Sequence, residues 1–256
     1  HIGVYPVGTS IADGVSLVKK WKYKIQNSQP PAVAQYQASY QPFGDLNLYF
    51  KANKSAITNY KRSLDLSTAI ATTTYTQSGI HYKRAYFASQ PNQAVVVNLT
   101  ASKPKSISFD AVLSSVHDES VIKVIDKNTI SLSVKVKDGV LKGESRLTAV
   151  VKNGVLKIIN NKLNISNADE VTLYLTAGTN FVNADNVSGN PASANTKALA
   201  SLRGETYTQI KSAHVKEYQS YYSTFKVDFG TNQNTSLPTD ERLVKFANAN
   251  DPAFMA

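Results

Sequence analysis

The sequence predicts a mainly β fold: a large antiparallel β-sandwich of the super-sandwich kind, with a C-terminal helical excursion and a linker helix. Three observations predict it. Apolar residues alternate at Leu46-Leu48-Phe50, Ile107-Phe109-Ala111 and Leu132-Val134-Val136, the two-residue period of a half-buried strand. Turn residues recur at short intervals, at Pro91, Asp126, Asp138-Gly139 and Asn153-Gly154. Beyond Ser193 the apolar period lengthens to that of a helix.

Taken in order, residues 1–39 read as an irregular lead-in. Its densest basic cluster, "KKWKYK" at Lys19–Lys24, fits a strand with Trp21, Tyr23 and Ile25 inward and the lysines outward. Interleaved aromatics and cations could also stack on single-stranded nucleic acid, but the strand reading is favoured. "YQPFGDLNLYF" at Tyr40–Phe50 reads as a corner entering a strand. Pro42 fixes φ, Gly44 supplies a permissive backbone, and Asp45 is placed to cap the N–H groups ahead. Tyr40 and Phe43 would anchor that corner.

"AVVVNL" at Ala94–Leu99 is continuously apolar, as in a strand buried on both faces. Asp138-Gly139 and Asn153-Gly154 are the strongest hairpin signals, because a two-residue type I′ turn needs φ > 0 at both positions. Leu199, Leu202, Tyr207, Ile210, Ala213, His214 and Tyr218 have helical spacing, with Gly204 dividing two segments within about 195–222. "FKVDFG" at Phe225–Gly230 alternates again and reads as a strand returning to the sheet. Thr239 or Asp240 would cap a helix through Phe246, and Asp251-Pro252 would end it. The expected organisation is therefore lead-in 1–39, sandwich domain 40–230 and linker 231–256.

Composition narrows the class. Of 256 residues 42% are hydrophobic and 18% charged, which suits a globular chain with a sizeable core. Net charge is +10, yet only five of the 28 basic residues are arginine and the lysines are scattered, so no nucleic-acid partner is expected. No apolar run approaches the ~20 residues of a membrane span. The absence of cysteine excludes disulfides, zinc–thiolate sites and thiol nucleophiles, and it permits a periplasmic or secreted setting.

Catalytic sets are hard to assemble. His1, His81, His117 and His214 show no metal-ligand spacing, and there is no Gly-x-Ser-x-Gly elbow or Gly-rich phosphate loop. Glycoside hydrolysis needs two carboxyl groups across a cleft. Asp45, Asp65, Asp110, Asp169, Glu170 and Glu241 are the candidates, and each reads better as structural. Arg62 and Asp65, an odd spacing apart, should lie on opposite strand faces. Fourteen tyrosines could stack on sugar rings, but in a sandwich most sit half-buried with the hydroxyl at the rim. No catalytic, cofactor-binding or metal-binding residue is expected in this chain, and no cofactor.

Six motifs, in order, carry a resemblance: "YQPFGDL", "YKRSLDLSTA" at Tyr60–Ala69, "YKRAYFAS" at Tyr82–Ser89, "ADEVTLYLTAGTNF" at Ala168–Phe181, "HVKEYQSYY" at His214–Tyr222 and "LPTDERL" at Leu237–Leu243. Together they resemble the amino-terminal β-sandwich domain of family 95 glycoside hydrolases, the α-L-fucosidase and α-L-galactosidase family. Two departures stand out. The family usually has Glu where this chain has Ala85, and the family's opening Gly-Asn-Gly and Asn-Glu-x-x-Leu-Trp motifs are missing. The resemblance implies a catalytic α/α barrel in the same polypeptide beyond Pro252, and it transfers no catalytic residue to this chain. The expectation is a fragment of a periplasmic or secreted bacterial hydrolase, acting on a fucosylated or galactosylated glycan and inactive alone. The alternative is a stand-alone carbohydrate-binding sandwich.

Overall fold

The computed structural model describes residues 42–51, 53–228 and 230–246. The 1–39 lead-in with its Trp21–Tyr23–Ile25 strand, the Tyr40 anchor and the Asp251-Pro252 stop lie outside the described residues. In chain order the strands are β1 (Asp45–Phe50), β2 (Ile57–Asp65), β3 (Ile70–Gln77), β4 (Ile80–Ser89), β5 (Ala94–Ala101) and β6 (Ile107–Ser114). They continue as β7 (Glu119–Asp126), β8 (Thr129–Lys135), β9 (Lys142–Lys152), β10 (Val155–Ile159), β11 (Lys162–Ala168) and β12 (Glu170–Thr179). The helices are α1 (Pro191–Ser201), α2 (Tyr207–Tyr222) and α3 (Thr239–Phe246).

The strands form two antiparallel sheets. The smaller has the order β1-β6-β11-β10 and the larger β2-β3-β4-β5-β12-β9-β8-β7. β6 shows why they stack: Ile107, Phe109, Ala111 and Leu113 are buried on one face, and alternate residues are half-buried on the other. They meet Leu132, Leu147, Leu163, Val171 and Leu173 in one inter-sheet core. The continuous apolar run of β5 divides between two cores. Val97 and Leu99 join the inter-sheet core. Ala94 and Val96 face a second cluster with Phe87, Tyr174, Leu202 and Ile210, under the helices. The mainly β sandwich is thus a three-layer unit of small sheet, large sheet and helix pair.

The helix pair is set by local chemistry. Asn190 caps α1 by accepting from Ser193 N at 3.1 Å, and Pro191 opens its first turn. Gly204, at φ +80°, separates α1 from α2. A capping box of Thr206 and Gln209 starts α2. Three α2 side chains then hold the β2–β3 turn: His214 Nε2 donates to Thr68 O (2.9 Å), Tyr218 Oη to Leu66 O (2.8 Å) and Gln219 Nε2 to Ser67 O (3.2 Å). Since a carbonyl only accepts, His214 Nε2 carries a proton, and the buried Nδ1 has no hydrogen-bond partner. Phe87, His214, Tyr218 and Tyr222 stack in a row along this seam. Three of the motifs read in the sequence therefore meet at one place.

Several turns differ from expectation. Asn153-Gly154 is a corner that carries the chain from β9 in the large sheet to β10 in the small one, so no hairpin forms there. Asn153 has φ 53°, and Gly154 is needed for space: a Cβ there would lie 2.6 Å from Ala168 Cβ. Asp138-Gly139 does lie in a hairpin, between β8 and β9, but in a longer connection closed by Val136 N to Leu141 O at 3.0 Å. The two-residue turns with both φ positive are Ser78-Gly79 and Asn160-Asn161.

The corner ahead of β1 is also corrected. Gly44 serves close approach, since a Cβ would sit 2.5 Å from Ser114 O and 2.9 Å from Leu132 Cδ2. Phe43 packs on the inter-sheet core and lies against Gly143, as its anchoring role requires. Asp45 is the first residue of β1, opposite Ser114, and caps none of the described N–H groups.

"FKVDFG" is not a returning strand over its described residues. Ser223 N and Thr224 N close α2 on Gln219 O and Tyr221 O, and Gly230 N turns back to Asp228 Oδ1 at 2.8 Å. Phe225 is 78% exposed. The alternation has no neighbouring row of backbone partners to pair with. In α3 the first helical bond runs from Arg242 N to Pro238 O (3.0 Å), so Thr239 and Asp240 already lie inside the first turn. No helix among the described residues is long and apolar enough to cross a membrane.

Candidate functional site

The two sheets are unequal, and that mismatch makes a cleft. The small sheet packs over β5, β8, β9 and β12, and on the β4 side the shared core reaches only Tyr86, leaving β2, β3 and the rest of the β4 inner face open. The opening measures about 880 Å³. β2, β3 and β4 form its floor, and Phe50 of β1 with Ser106–Ser108 of the β6 edge form its far wall. The β1–β2 connection closes one side. There Gln77 Nε2 donates to Ser55 O (3.0 Å) and Asn53 Nδ2 to Ser78 Oγ (3.2 Å), tying the connection to the β3–β4 hairpin.

Register decides which side chains face the cleft. Thr73 is opposite Arg62 on one side and Arg84 on the other, so the three residues form one row across β2, β3 and β4. Next to it Tyr75 is opposite Tyr82, and their rings stack at 5.1 Å and 19°. Arg84 Nη2 donates to Tyr75 Oη at 3.0 Å. The Arg84 guanidinium carbon lies 4.2 Å from the centroid of the Phe50 ring and 5.4 Å from that of Tyr75. These are cation–π distances. Phe50 is itself fixed by Phe109, 5.1 Å away. Burial, and then the adjacent Tyr75, push the Tyr82 phenol above its usual range.

Lys51, Lys54 and Lys83 add to the two arginines, and the described lining holds no aspartate or glutamate. The cleft can therefore attract anions and stack rings, but it offers no carboxyl pair for glycosidic acid–base chemistry. A second groove of about 610 Å³ runs between the outer faces of β9 and β12 and the α1–α2 turn. Asn98 Nδ2 donates to Glu170 Oε1 (2.8 Å) and to Thr172 Oγ1 (2.9 Å) at its floor. Burial first, and then Glu170, raise the Tyr174 and Tyr207 phenols.

The carboxylates singled out in the sequence lie apart. Asp65 accepts from Ser67 N (2.9 Å) and Ser67 Oγ (2.7 Å) in the β2–β3 turn, and these bonds hold it below its usual range. Arg62, on the opposite face, lines the cleft, as the odd spacing required. Asp110 accepts from Asn164 Nδ2 (2.6 Å) across β6 and β11. Asp169 accepts from Asn153 Nδ2 and Lys105 N, both at 2.7 Å, and is likewise held low, chiefly by the Asn153 bond. Glu170 is the first residue of β12, and Glu241 sits in the first turn of α3.

Ala85 is 5% exposed in the cluster beneath the helices, opposite Asn98. The glutamate of the family pattern would be buried there. Its strand neighbour Asn98 donates to Glu170 Oε1 and Thr172 Oγ1. The cleft itself was missed in the sequence, although both arginines lie inside the quoted motifs "YKRSLDL" and "YKRAYFAS".

Against known proteins, the signature described as "Glycosyl hydrolase family 65, N-terminal domain" matches residues 16–184. The chain belongs to this family. A second signature, "Glycosyl hydrolase family 95 catalytic domain", matches residues 206–256, in line with the resemblance carried by the six motifs. Among individual proteins, the chain is 28% identical over 250 residues to "Alpha-L-fucosidase 2" of Arabidopsis thaliana, covering 84% of this chain and 30% of that protein. It is 23% identical over 252 residues to "Probable alpha-fucosidase A" of Aspergillus niger, covering 85% and 29% respectively. The chain thus spans about 30% of the length of the curated relatives it matches. A solved structure, "Putative kojibiose phosphorylase from human microbiome", aligns at 15% identity and a TM-score of 0.48 over 69% of this chain and 27% of that one.

Proposed function

We propose that this chain is the non-catalytic amino-terminal domain of an α-L-fucosidase-like glycoside hydrolase. In this reading it packs against an α/α-barrel catalytic domain of the same polypeptide and shapes one wall of its sugar cleft. The observation that carries the reading is the order of the two family matches: an N-terminal-domain signature over 16–184, then a catalytic-domain signature over 206–256. The surface supports it. Where the second signature lies, Tyr221, Phe225, Leu243 and Val244 are 70, 78, 58 and 78% exposed, an apolar set suited to a covering domain. The periplasmic or secreted setting belongs to the same proposal and rests on composition.

The test is hydrolysis. The pure 256-residue chain should release no fucose from 2′-fucosyllactose or a nitrophenyl fucoside, and the same chain continuous with its barrel should release it. Turnover by the chain alone would overturn the reading. The aromatic–arginine cleft keeps one alternative open, a stand-alone carbohydrate-binding module. Full activity of the enzyme without residues 42–205, which lie ahead of the catalytic-domain match, would favour it.

A further inference from the structure

We propose that the cleft over β2, β3 and β4 is a binding site for an anionic saccharide, a pyranose bearing a carboxylate or a sulfate ester. The charge argument stands on the cleft alone, and the saccharide class rests on the accessory-domain reading above. Arg62 and Arg84 flank Thr73 in one row, two strands apart. Strands are spaced about 4.8 Å, which puts the two backbones about 10 Å apart. That is a span long side chains close on a single carboxylate or sulfate. The ion pairs Glu119–Lys135 and Glu144–Arg146 both lie outside the cleft, and neither involves Arg62 or Arg84. The two cations are uncompensated neighbours, and an anion between them relieves their repulsion.

Geometry adds to charge. Arg84 is half-buried and spends one N–H on Tyr75, and the Phe50 face holds the guanidinium plane in place. Its other donors form a pre-set fork of the kind that takes a planar carboxylate or a sulfate in paired bonds. Beside the fork lie the stacked Tyr75 and Tyr82, and Tyr60 at the rim is 58% exposed. Aromatic faces next to a charged fork suit a sugar ring with an acidic substituent. Thr73 and Gln77 supply hydrogen-bonding groups within the same lining.

Calorimetric titration of the 256-residue chain at low ionic strength tests this. The probes are a sulfated fuco-oligosaccharide, an oligogalacturonide, neutral 2′-fucosyllactose and sodium sulfate. At least one acidic oligosaccharide should bind about tenfold or more tightly than the neutral sugar and sulfate, because charge-assisted bonds outweigh neutral ones. Added salt should weaken it. Arg84→Gln and Arg62→Gln should each weaken it about tenfold. Arg62 is exposed, so its variant reports even if Arg84→Gln fails to fold. No acidic sugar binding, equal binding of the neutral sugar, wild-type affinity in both variants, or sulfate binding as tightly as its sugar ester would each overturn the proposal. None of these outcomes bears on fucose release, which tests the accessory-domain reading separately.

Discussion

Asn195 offers a sharp test of how the helical layer is held. It lies in α1, is fully buried, and has each of its groups engaged. Its Nδ2 donates to Glu144 O in β9 (2.7 Å) and to Pro191 O (2.9 Å). Its Oδ1 accepts from Thr176 Oγ1 in β12 (2.6 Å). Thr176 is 1% exposed, so Asn195→Ala strands a hydroxyl that no water can reach. An unmet buried group costs about 1–3 kcal/mol, and the lost bonds and small void raise the total to about 2–4 kcal/mol. In a folded unit of about 200 residues each kcal/mol moves the midpoint by roughly 2–4 °C, so Tm should fall by roughly 5–15 °C. Thermal and urea melts followed by circular dichroism give the number. The double variant Asn195→Leu/Thr176→Val removes both ends of the buried bond and should recover at least about 1 kcal/mol relative to the sum of the single changes. A Tm for Asn195→Ala within about 1 °C of wild type, where a loss of under 0.5 kcal/mol would place it, or strict additivity in the cycle, would refute the reasoning.

Two further predictions concern the corners. Gly44→Ala drives a Cβ to 2.5 Å from Ser114 O, a backbone atom that cannot swing aside. It should cost about 1–3 kcal/mol in a urea melt, and a neutral result would remove the close-approach role. Asp169 is held below its ordinary value of 3.8, so its stabilising effect is complete above that value and is lost as pH falls through the lower folded pKa. The Tm difference between wild type and Asp169→Asn should be constant near neutrality and close in acid below about pH 4. A difference that ignores pH would show that the Asn153 and Lys105 contacts do not depend on the carboxylate charge.

The signals legible in the sequence were those whose physics is local. Alternation placed β1 and β6, because successive side chains of a strand must point to opposite faces. The apolar run at Ala94–Leu99 marked β5, which feeds both cores although Val95 is 42% exposed, and the longer period broken at Gly204 marked the helix pair. Motif order carried the family. The errors share a cause. Asn153-Gly154 satisfies a hairpin's local demands, yet the chain leaves one sheet for the other there. Phe225–Gly230 alternates, yet no strand lies beside it. A turn residue or an apolar period describes one segment, whereas pairing needs a second segment from elsewhere in the chain.

The cleft is the clearest case. By itself the sequence determined that Arg62 and Arg84 each lie within a recognisable motif, and that Arg62 faces away from Asp65 on a strand. Only the tertiary structure decided that Thr73 stands between them, that the small sheet stops short of β2–β4, and that Phe50 reaches over to lock Arg84. Register and sheet width are set by long-range packing of two unequal layers, and no window along the chain contains both.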